Sequence, residues 1–327
     1  MEKQELHRAR SHFAKENRVR FAYFEDQYAL NLLRHLVADG TPLRHVRKSR
    51  YGKLINRPAV KTHVAARCDG ELSHDAILGI WPSDYETFWL TADEWSRDYY
   101  SRGYSQISRP GSNLVLQLNF SSRHDRQYRR LLRPVNEEHP FVFRGHPVAR
   151  TAITLAWTRI DIEFATGEAL IEEIQCDWLR FARKVASYWW QPRAVPQERR
   201  MLFGRVDGKV SPARLQRYLD MVLRRYERIW AEAMLWATIW VLHERMGIRT
   251  IYMHTPDTGR AFKAPVQAQP PRSLYTRLPR KFCFEVVRDP PGLLRDSTER
   301  FVARLVRQRA ELPWHVLRLG RPRPMTA

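Results

Sequence analysis

The sequence predicts an α+β protein with a mixed central sheet and a basic, helical N-terminal segment. Residues 23–38, "YFEDQYALNLLRHLVA", carry apolar side chains at helical spacing. From about residue 80 the chain becomes rich in aromatic and β-branched residues interrupted by turn signals, which is typical of strands. We therefore divide the chain into a basic helical segment at 1–75, a mixed α/β core at 76–295, and a basic C-terminal helix and tail at 296–327.

The composition indicates a folded protein that attracts polyanions. The 327 residues are 43% hydrophobic and include 11 Trp, which is enough to fill a substantial core. Lysine and arginine number 56 against 35 aspartates and glutamates, for a net charge of +21. Such a surplus favours contact with nucleic acid. A genome that encodes arginine in place of lysine would explain the preference for arginine, but it would not explain the net charge.

Cysteine usage and hydropathy indicate a cytoplasmic protein without a membrane partner. The three cysteines lack the paired spacing of a zinc site or a disulfide framework, so we expect no bound metal. The longest apolar run, "AMLWATIWVL" at 233–242, is shorter than the roughly 20 residues that a membrane-spanning helix needs. The charged opening "MEKQELHRARSHFAKENR" contains no apolar signal sequence.

After the first long helix, which ends at Gly40, the sequence predicts short basic helices and then strands. The basic stretch 42–67 predicts helices broken at Pro58, and a solvated basic face fits it better than a helix-turn-helix. "ETFWLTADEW" and "NLVLQLNF" predict strands. "RHDRQYRRLL" at 123–132 is either a helix with a basic face or a loop facing phosphate.

A hairpin, helices and a further strand follow in the second half. Strands at about 152–164 and 168–175 are joined at Thr166-Gly167, which predicts a hairpin. A helix follows Trp178, and residues 248–255, "IRTIYMHT", predict a short strand.

One long helix is predicted between these last two strands. Ser211 as the N-cap and Pro212 at the first position mark its start, and Gly247 marks its end. Its second half is apolar on all sides and should be buried. Towards the end of the chain, Asp296 and Glu299 predict the capping box of a last helix.

The two strands on either side of the long helix have the order of a β-α-β unit, which is normally parallel. Ligands of open α/β sheets bind at the carboxyl ends of such strands. This edge would bring Gln175, Cys176 and Asp177 close to His254, Thr255 and Asp257. We therefore predict that Gln175, Asp177, His254 and Thr255 position a ligand.

Two adjacent glutamates stand in the first of these strands. With a side-chain period of two, Glu173 and Gln175 share one face, and Glu172 points the other way with Leu170 and Ile174. Glu172 should therefore need a buried partner, for which the surplus of arginine is available. Glu173 is equally consistent with a role in a site and with a structural ion pair.

Asp177 and Cys176 each allow two interpretations. Asp177 precedes a helix and is either a ligand-positioning residue or the N-cap of that helix. Cys176, if His254 lies beside it, would resemble a nucleophile and its base; otherwise it is a buried, inert thiol.

"LIEEIQCDW" resembles the "EIQSDW" signature of domains found in large phage polyvalent proteins and related bacterial proteins, with Cys176 where those have serine. In that family the signature strand is followed by a long helix, a strand, a helix rich in tyrosine and lysine, and a last strand. "SLYTRLPRKFCFEVV" at 273–287 matches the last two of these elements through Tyr275 and Lys281. The resemblance covers about residues 165–290.

The same order of elements, from about residue 165, is similar to the second half of GNAT-type N-acyltransferases. That resemblance implies acyl-CoA as a cofactor and Tyr275 as the acid that protonates the leaving thiolate. Those enzymes bind the pyrophosphate of CoA with the backbone of a glycine-rich loop. This chain has "CDWLRFARKVA" there, without glycine.

Two functional hypotheses follow. The leading one is a GNAT-like acyltransferase, or a degenerate relative, that acts on a nucleic-acid-associated or other polyanion-linked substrate, with Glu173 as general base and Tyr275 as acid. The alternative is a non-enzymatic nucleic-acid-binding accessory protein of a phage or mobile element, because arginines and aromatic residues interleave in two segments. The predicted nucleic-acid contacts are Arg126, Arg129, Arg130, Arg224 and Arg225.

Overall fold

The computed structural model describes residues 1–13, 18–67, 70–96, 107–134, 139–143, 145–189, 210–262, 271–297 and 300–320. These residues form an α+β fold, as predicted, with one mixed eight-stranded sheet at its centre. The strands are β1 (Val19–Tyr23), β2 (Glu86–Ser96), β3 (Ser112–Asn119), β4 (Thr154–Glu163), β5 (Glu168–Gln175), β6 (Thr250–Met253), β7 (Glu285–Val287) and β8 (Trp314–Arg318).

The strands lie in the sheet in the order β1-β2-β3-β4-β5-β6-β8-β7. Among the described strands, β5 and β6 are parallel to each other and every other neighbouring pair is antiparallel. The predicted hairpin joins β4 to β5, and Gly167 in its turn has a φ of 69°, which a glycine adopts without strain. The parallel pair predicted from the sequence is therefore present.

Helices surround the sheet. They are α1 (Lys3–Ser11), α2 (Gln27–Leu36), α3 (Leu43–Lys48), α4 (Gly52–Ile55), α5 (Pro58–Arg67), α6 (His74–Leu78), α7 (Ser122–Leu132), α8 (Asp177–Trp189), α9 (Pro212–Tyr226), α10 (Trp230–Trp240), α11 (Pro256–Phe262), α12 (Arg277–Lys281), α13 (Gly292–Arg295) and α14 (Arg300–Gln308). None of the described helices has both the length and the apolar character needed to cross a bilayer.

Both faces of the sheet are covered, so the central strands are buried on both sides. On one face, apolar residues of β5 and β6 pack with α2, α9 and α10 in the main core. On the other, Leu170 and Tyr252 pack with α11, α13 and α14 in a smaller cluster. α9 and α14 lie on opposite faces of the sheet, so the exposed side of α9 and the exposed side of α14 are two separate surfaces.

The single helix predicted from Pro212 to Gly247 is wrong, because two helices and a π-helical turn occupy this segment. α9 ends at Tyr226, α10 begins at Trp230, and the wide turn spans Val241–Arg245. The interruption lets α9 pack on α7 and α8 while α10 packs against β4 and β5. The predicted burial of the second half is confirmed, since α10 is buried on nearly all sides.

Two strands are absent from the sequence-based description. β1 lies in the segment predicted to be helical, and β8 lies in the predicted C-terminal helix and tail. Both are five residues long, and β8 is stabilised by pairing with β6 and β7 rather than by local preference. Asp296 ends α13 instead of beginning a helix, and Glu299 lies outside the described residues.

Candidate functional site

The carboxyl ends of β5 and β6 do not finish level with each other. Met253, the last residue of β6, pairs with Ile171, so β5 continues four residues further to Gln175. His254 consequently lies beside Glu172 rather than beside Gln175. The residues predicted to meet at one edge form three separate groups along the extended part of β5.

A β-bulge at Glu172 sets the direction of the side chains that follow. Ile160 pairs with Ile171 and Arg159 pairs with Glu173, so Glu172 is an extra residue on β5. Because the bulge shifts the alternation by one, the prediction that Ile174 shares a face with Leu170 is wrong, whereas Glu173 and Gln175 both lie after the bulge and share one face as predicted. Leu170 lies in the smaller cluster and Ile174 in the main core, on opposite faces of the sheet.

Glu172 is buried completely and binds His254 and Ser108. Its Oε2 atom lies 3.1 Å from His254 Nε2 and accepts a hydrogen bond from Ser108 Oγ at 3.0 Å. The Ser108 backbone N–H donates to the other carboxylate oxygen at 2.8 Å. Glu172 thus has the buried partner that the sequence requires, and among the described residues that partner is histidine and serine.

This group has the residue types of a catalytic triad but not the geometry of one. Ser108 Oγ and Glu172 Oε2 both contact the same nitrogen of His254, Nε2, while Nδ1 bonds to Thr258 Oγ1 at 3.2 Å. In a triad the acid and the nucleophile bind opposite ring nitrogens. Glu172 and His254 also have no solvent exposure, so the group is a structural network within the fold.

Glu173 forms the second group with Arg159. Arg159 Nη2 lies 2.5 Å from Glu173 Oε2, and the guanidinium stacks over Trp95, 5.0 Å from the ring centroid. The Arg159 side chain is 1% exposed and that of Glu173 is 10% exposed. Of the two interpretations left open by the sequence, the geometry places Glu173 in a buried ion pair.

Tyr275 lies against this ion pair, in a 3₁₀ turn at Arg272–Tyr275. Burial and the charge of Glu173 raise the pKa of Tyr275, although the charge of Arg159 opposes this. Tyr275 therefore stays protonated at neutral pH. The structure brings the predicted acid and base, Tyr275 and Glu173, to the same place in the interior.

Asp177 forms the third group, with His146, Trp157, Gln175 and Arg180. Its carboxylate lies 2.7 Å from His146 Nδ1 and accepts hydrogen bonds from Trp157 Nε1 at 3.2 Å and Gln175 Nε2 at 2.9 Å. Burial alone would raise the pKa of Asp177, but the hydrogen bond and charge of His146, with the contributions of Trp157 and Arg180, lower it.

The sequence gives no signal for His146. It precedes a proline in an irregular segment, far along the chain from the strand that it contacts. Its side chain is 22% exposed, so it is more accessible than Asp177, which is 5% exposed. Only the fold brings it to the end of β5.

The remaining predicted residues have structural contacts. Thr255 Oγ1 donates to the Pro313 carbonyl at 2.9 Å, and its backbone N–H donates to Thr258 Oγ1 at 2.8 Å. Cys176 is buried, and burial raises the pKa of its thiol. No hydrogen bond between Cys176 and His254 is found among the described residues, so the arrangement of a thiol nucleophile and its base is not present there.

A different surface collects the basic residues. α7 and α8 both pack against α9, with aromatic residues between them. Arg126, Arg129 and Arg130 are exposed on α7, which settles that "RHDRQYRRLL" is helical with a basic face. Arg224 is exposed on α9, whereas Arg225 is half-buried and forms an ion pair with Glu86.

A cavity of about 990 Å³ opens between α9, the start of α7 and the ends of β1 and β2. We call it the arginine groove. Its walls carry the arginines Arg123, Arg217, Arg224, Arg225 and Arg228 and the acidic residues Glu25, Asp84, Glu86 and Asp220. Arg228 pairs with Glu25 at 2.9 Å. Arg123, Arg217 and Arg224 have no carboxylate within 4.0 Å in the described part of the chain.

Exposed aromatic side chains stand at one end of the arginine groove. Tyr85 lines the groove, and Trp81 packs beside it with ring centroids 5.4 Å apart. Trp81 also makes an edge contact with Phe24, another residue of the groove wall. Both rings reach solvent, since Trp81 is 51% exposed and Tyr85 is 37% exposed.

No family model, no curated protein and no solved structure matches this chain.

Proposed function

We propose that this protein binds single-stranded nucleic acid along the arginine groove. The observation that carries the proposal is a cavity lined by Tyr85 and by arginines that have no carboxylate partner among the described residues, with the exposed Trp81 packed against Tyr85 at its end. Proteins that bind single strands combine a positive groove, which follows the phosphates, with aromatic rings on which bases stack. The proposal develops the second hypothesis drawn from the sequence, a nucleic-acid-binding protein, and assigns the binding to the residues of the arginine groove.

The charges of the groove suit a phosphate backbone. Arg217 and Arg224 are exposed on α9 and stand two turns apart, so both are available to neutralise phosphates. The acidic residues Glu25 and Glu86 are each engaged by an arginine, which reduces their repulsion of an anion. Arg126 and Arg130 follow Arg123 on the same side of α7 at helical spacing and extend the positive surface beyond the groove.

The aromatic end of the groove favours a single strand over a duplex. Base–aromatic stacking requires an unstacked base, and it contributes roughly 1–3 kcal/mol per base. Tyr85 lines the groove together with the arginines and Trp81 packs against Tyr85, so a splayed base and its phosphate would be bound together.

Fluorescence anisotropy with a labelled thymidine oligonucleotide tests this proposal. We expect binding whose logarithmic affinity falls linearly with the logarithm of salt concentration, because phosphate contacts release counterions. A duplex of the same length should bind more weakly. Absence of binding at low salt by a folded sample would refute the proposal.

Acyl transfer at the end of β5 is a second candidate. It is supported by the order of strand, helices, strand and tyrosine that the GNAT-like resemblance implies, and by the position of protonated Tyr275 near Glu173. The Arg159 ion pair opposes it, since a carboxylate bound to a guanidinium is a poor base. Calorimetric titration with acetyl-CoA tests this candidate: it predicts heat of binding, and its absence in a folded sample would eliminate the CoA-dependent reaction.

A further inference from the structure

Two histidines and a glutamate meet where α2, the π-helical turn and the chain after β8 come together. His35 is in the last turn of α2, and His243 and Glu244 are in the π-helical turn Val241–Arg245. The nearest ligand atoms of the three side chains all lie within 4.8 Å of one another. π-Helical turns inside helical segments frequently occur at functional sites, because the wider turn redirects neighbouring side chains.

The distances between these atoms suit a tetrahedral metal ion. Metal–ligand bonds of about 2.0–2.2 Å in tetrahedral geometry place neighbouring ligand atoms about 3.3 Å apart. Glu244 Oε1 lies 2.9 Å from His243 Nδ1 and 3.4 Å from His35 Nε2. With the remaining distance, between the two histidine nitrogens, limited to 4.8 Å, one ion can reach all three atoms after side-chain adjustments.

The other nitrogen of His243 is held as metal-binding histidines usually are. His243 Nε2 lies 2.8 Å from the Gly320 carbonyl oxygen, and a carbonyl only accepts hydrogen bonds, so Nε2 carries the proton. His243 Nδ1 donates to Glu244 Oε1 at 2.9 Å, and a metal ion that displaces this proton would bind the Nδ1 lone pair in its place. Metal-ligating histidines almost always donate their second N–H to a carboxylate, a backbone carbonyl or water.

The position is partly buried but open on one side. The His243 side chain is 1% exposed, whereas His35 is 9% and Glu244 is 14% exposed. Two histidines and one carboxylate are a common ligand set of zinc sites that keep a fourth position for water. The positive charge of nearby Arg34 opposes a bound cation, so a moderate affinity is expected.

We propose that His35, His243 and Glu244 form a binding site for a divalent transition metal of the Zn²⁺ class, with water as the fourth ligand. Mg²⁺ and Ca²⁺ prefer ligand sets made only of oxygen atoms, so two imidazoles and one carboxylate favour a transition metal over either ion. The ion joins α2 to the segment that follows α10 and fixes the end of β8 through Gly320.

Titration of the untagged, chelator-treated full chain with ZnCl₂ and with CoCl₂ tests this site. We expect one Zn²⁺ per chain and the visible absorption of tetrahedral Co²⁺. Glu244→Gln, which keeps the size of the side chain, and His35→Gln should each lower the affinity for Zn²⁺ by more than about 100-fold, since loss of an outer-shell partner alone costs 10–100-fold. His45→Gln, at an exposed histidine on α3, should bind as the unmodified protein does.

The proposal is overturned if the unmodified chain binds no Zn²⁺ in a saturable manner, or if Glu244→Gln and His35→Gln retain its affinity while circular dichroism shows them folded. Loss of Zn²⁺ binding in these variants and not in His45→Gln supports it. The site lies apart from the arginine groove, so nucleic-acid binding that persists in Glu244→Gln leaves the two proposals independent.

Discussion

Arg159 Nη2 lies 2.5 Å from Glu173 Oε2 inside the central sheet, with the guanidinium over Trp95. Removal of one member of a buried pair leaves an uncompensated charge and costs about 3–5 kcal/mol. We therefore expect Arg159→Met to lower the free energy of unfolding by this amount. Arg159→Met combined with Glu173→Gln, which removes both charges, should be more stable than Arg159→Met alone. Urea denaturation measures both, and additive losses would contradict the pairing.

The stability of the helical layer should depend on pH through His124. Its Nε2 lies 3.1 Å from the Tyr218 hydroxyl, which also accepts a hydrogen bond from Trp178 at 2.8 Å. The Tyr218 hydroxyl therefore donates to His124, which requires an unprotonated Nε2. Burial lowers the pKa of His124 below its ordinary 6.5, although Asp125 opposes this.

The unfolded chain takes up the proton near pH 6.5, and the folded chain does so only at lower pH. Stability is therefore complete above pH 6.5 and falls as pH drops below it, by at most about 1.4 kcal/mol per pH unit for this group. His124→Gln should be less stable at pH 7.5 but should lose less stability between pH 7 and pH 5. Thermal melts across this range measure the difference, and an unchanged pH dependence would contradict it.

Cys176 should be unreactive in the folded protein, because burial raises the pKa of its thiol and the thiolate is the nucleophile. Peptide mapping after iodoacetamide treatment at pH 7.5 should show Cys176 unmodified in the native state and modified in urea. Rapid native modification would revive the thiol-enzyme hypothesis. Cys176→Ser, the residue of the resembling signature, should leave nucleic-acid binding unchanged.

Trp81 should contribute to nucleic-acid binding without contributing to stability. Its side chain is 51% exposed, so Trp81→Ala should leave the melting temperature nearly unchanged. Loss of one stacked base should weaken binding of a thymidine oligonucleotide by about 1–3 kcal/mol. Trp81→Phe keeps an aromatic ring and should retain most of the affinity. Equal affinities of all three proteins would remove Trp81 from the binding surface.

Periodicity and turn signals were sufficient for the main strands, the parallel pair and the start of α9 at Ser211-Pro212. The sequence pattern does not contain the bulge at Glu172, because one extra residue changes the pairing without changing the local composition. Strict alternation across the bulge consequently placed Ile174 on the same face as Leu170, which is wrong. The short strand β8 was missed because its stability comes from neighbours distant in sequence.

Some functional residues can likewise be predicted from the sequence, and others are recognised only in the fold. Arg224 and Arg225 stand out in the sequence because they are adjacent arginines on a helix. Trp81, in contrast, follows a helix in an irregular segment, and only the packing of Tyr85 and Phe24 brings it to the arginine groove. His146 reaches Asp177 through the path of the chain, which no spacing rule describes.

The most direct measurement is the salt dependence of oligonucleotide affinity for two variants of equal charge. Arg217→Ala with Arg224→Ala removes two exposed arginines from the groove, and Arg304→Ala with Arg307→Ala removes two from α14 on the opposite face. We expect the first variant to bind more weakly, with a salt slope reduced by about 1.4, at roughly 0.7 per phosphate contact on a single strand. The second should retain the slope of the unmodified chain. Equal effects of the two variants would show that net charge, and not the arginine groove, attracts the nucleic acid.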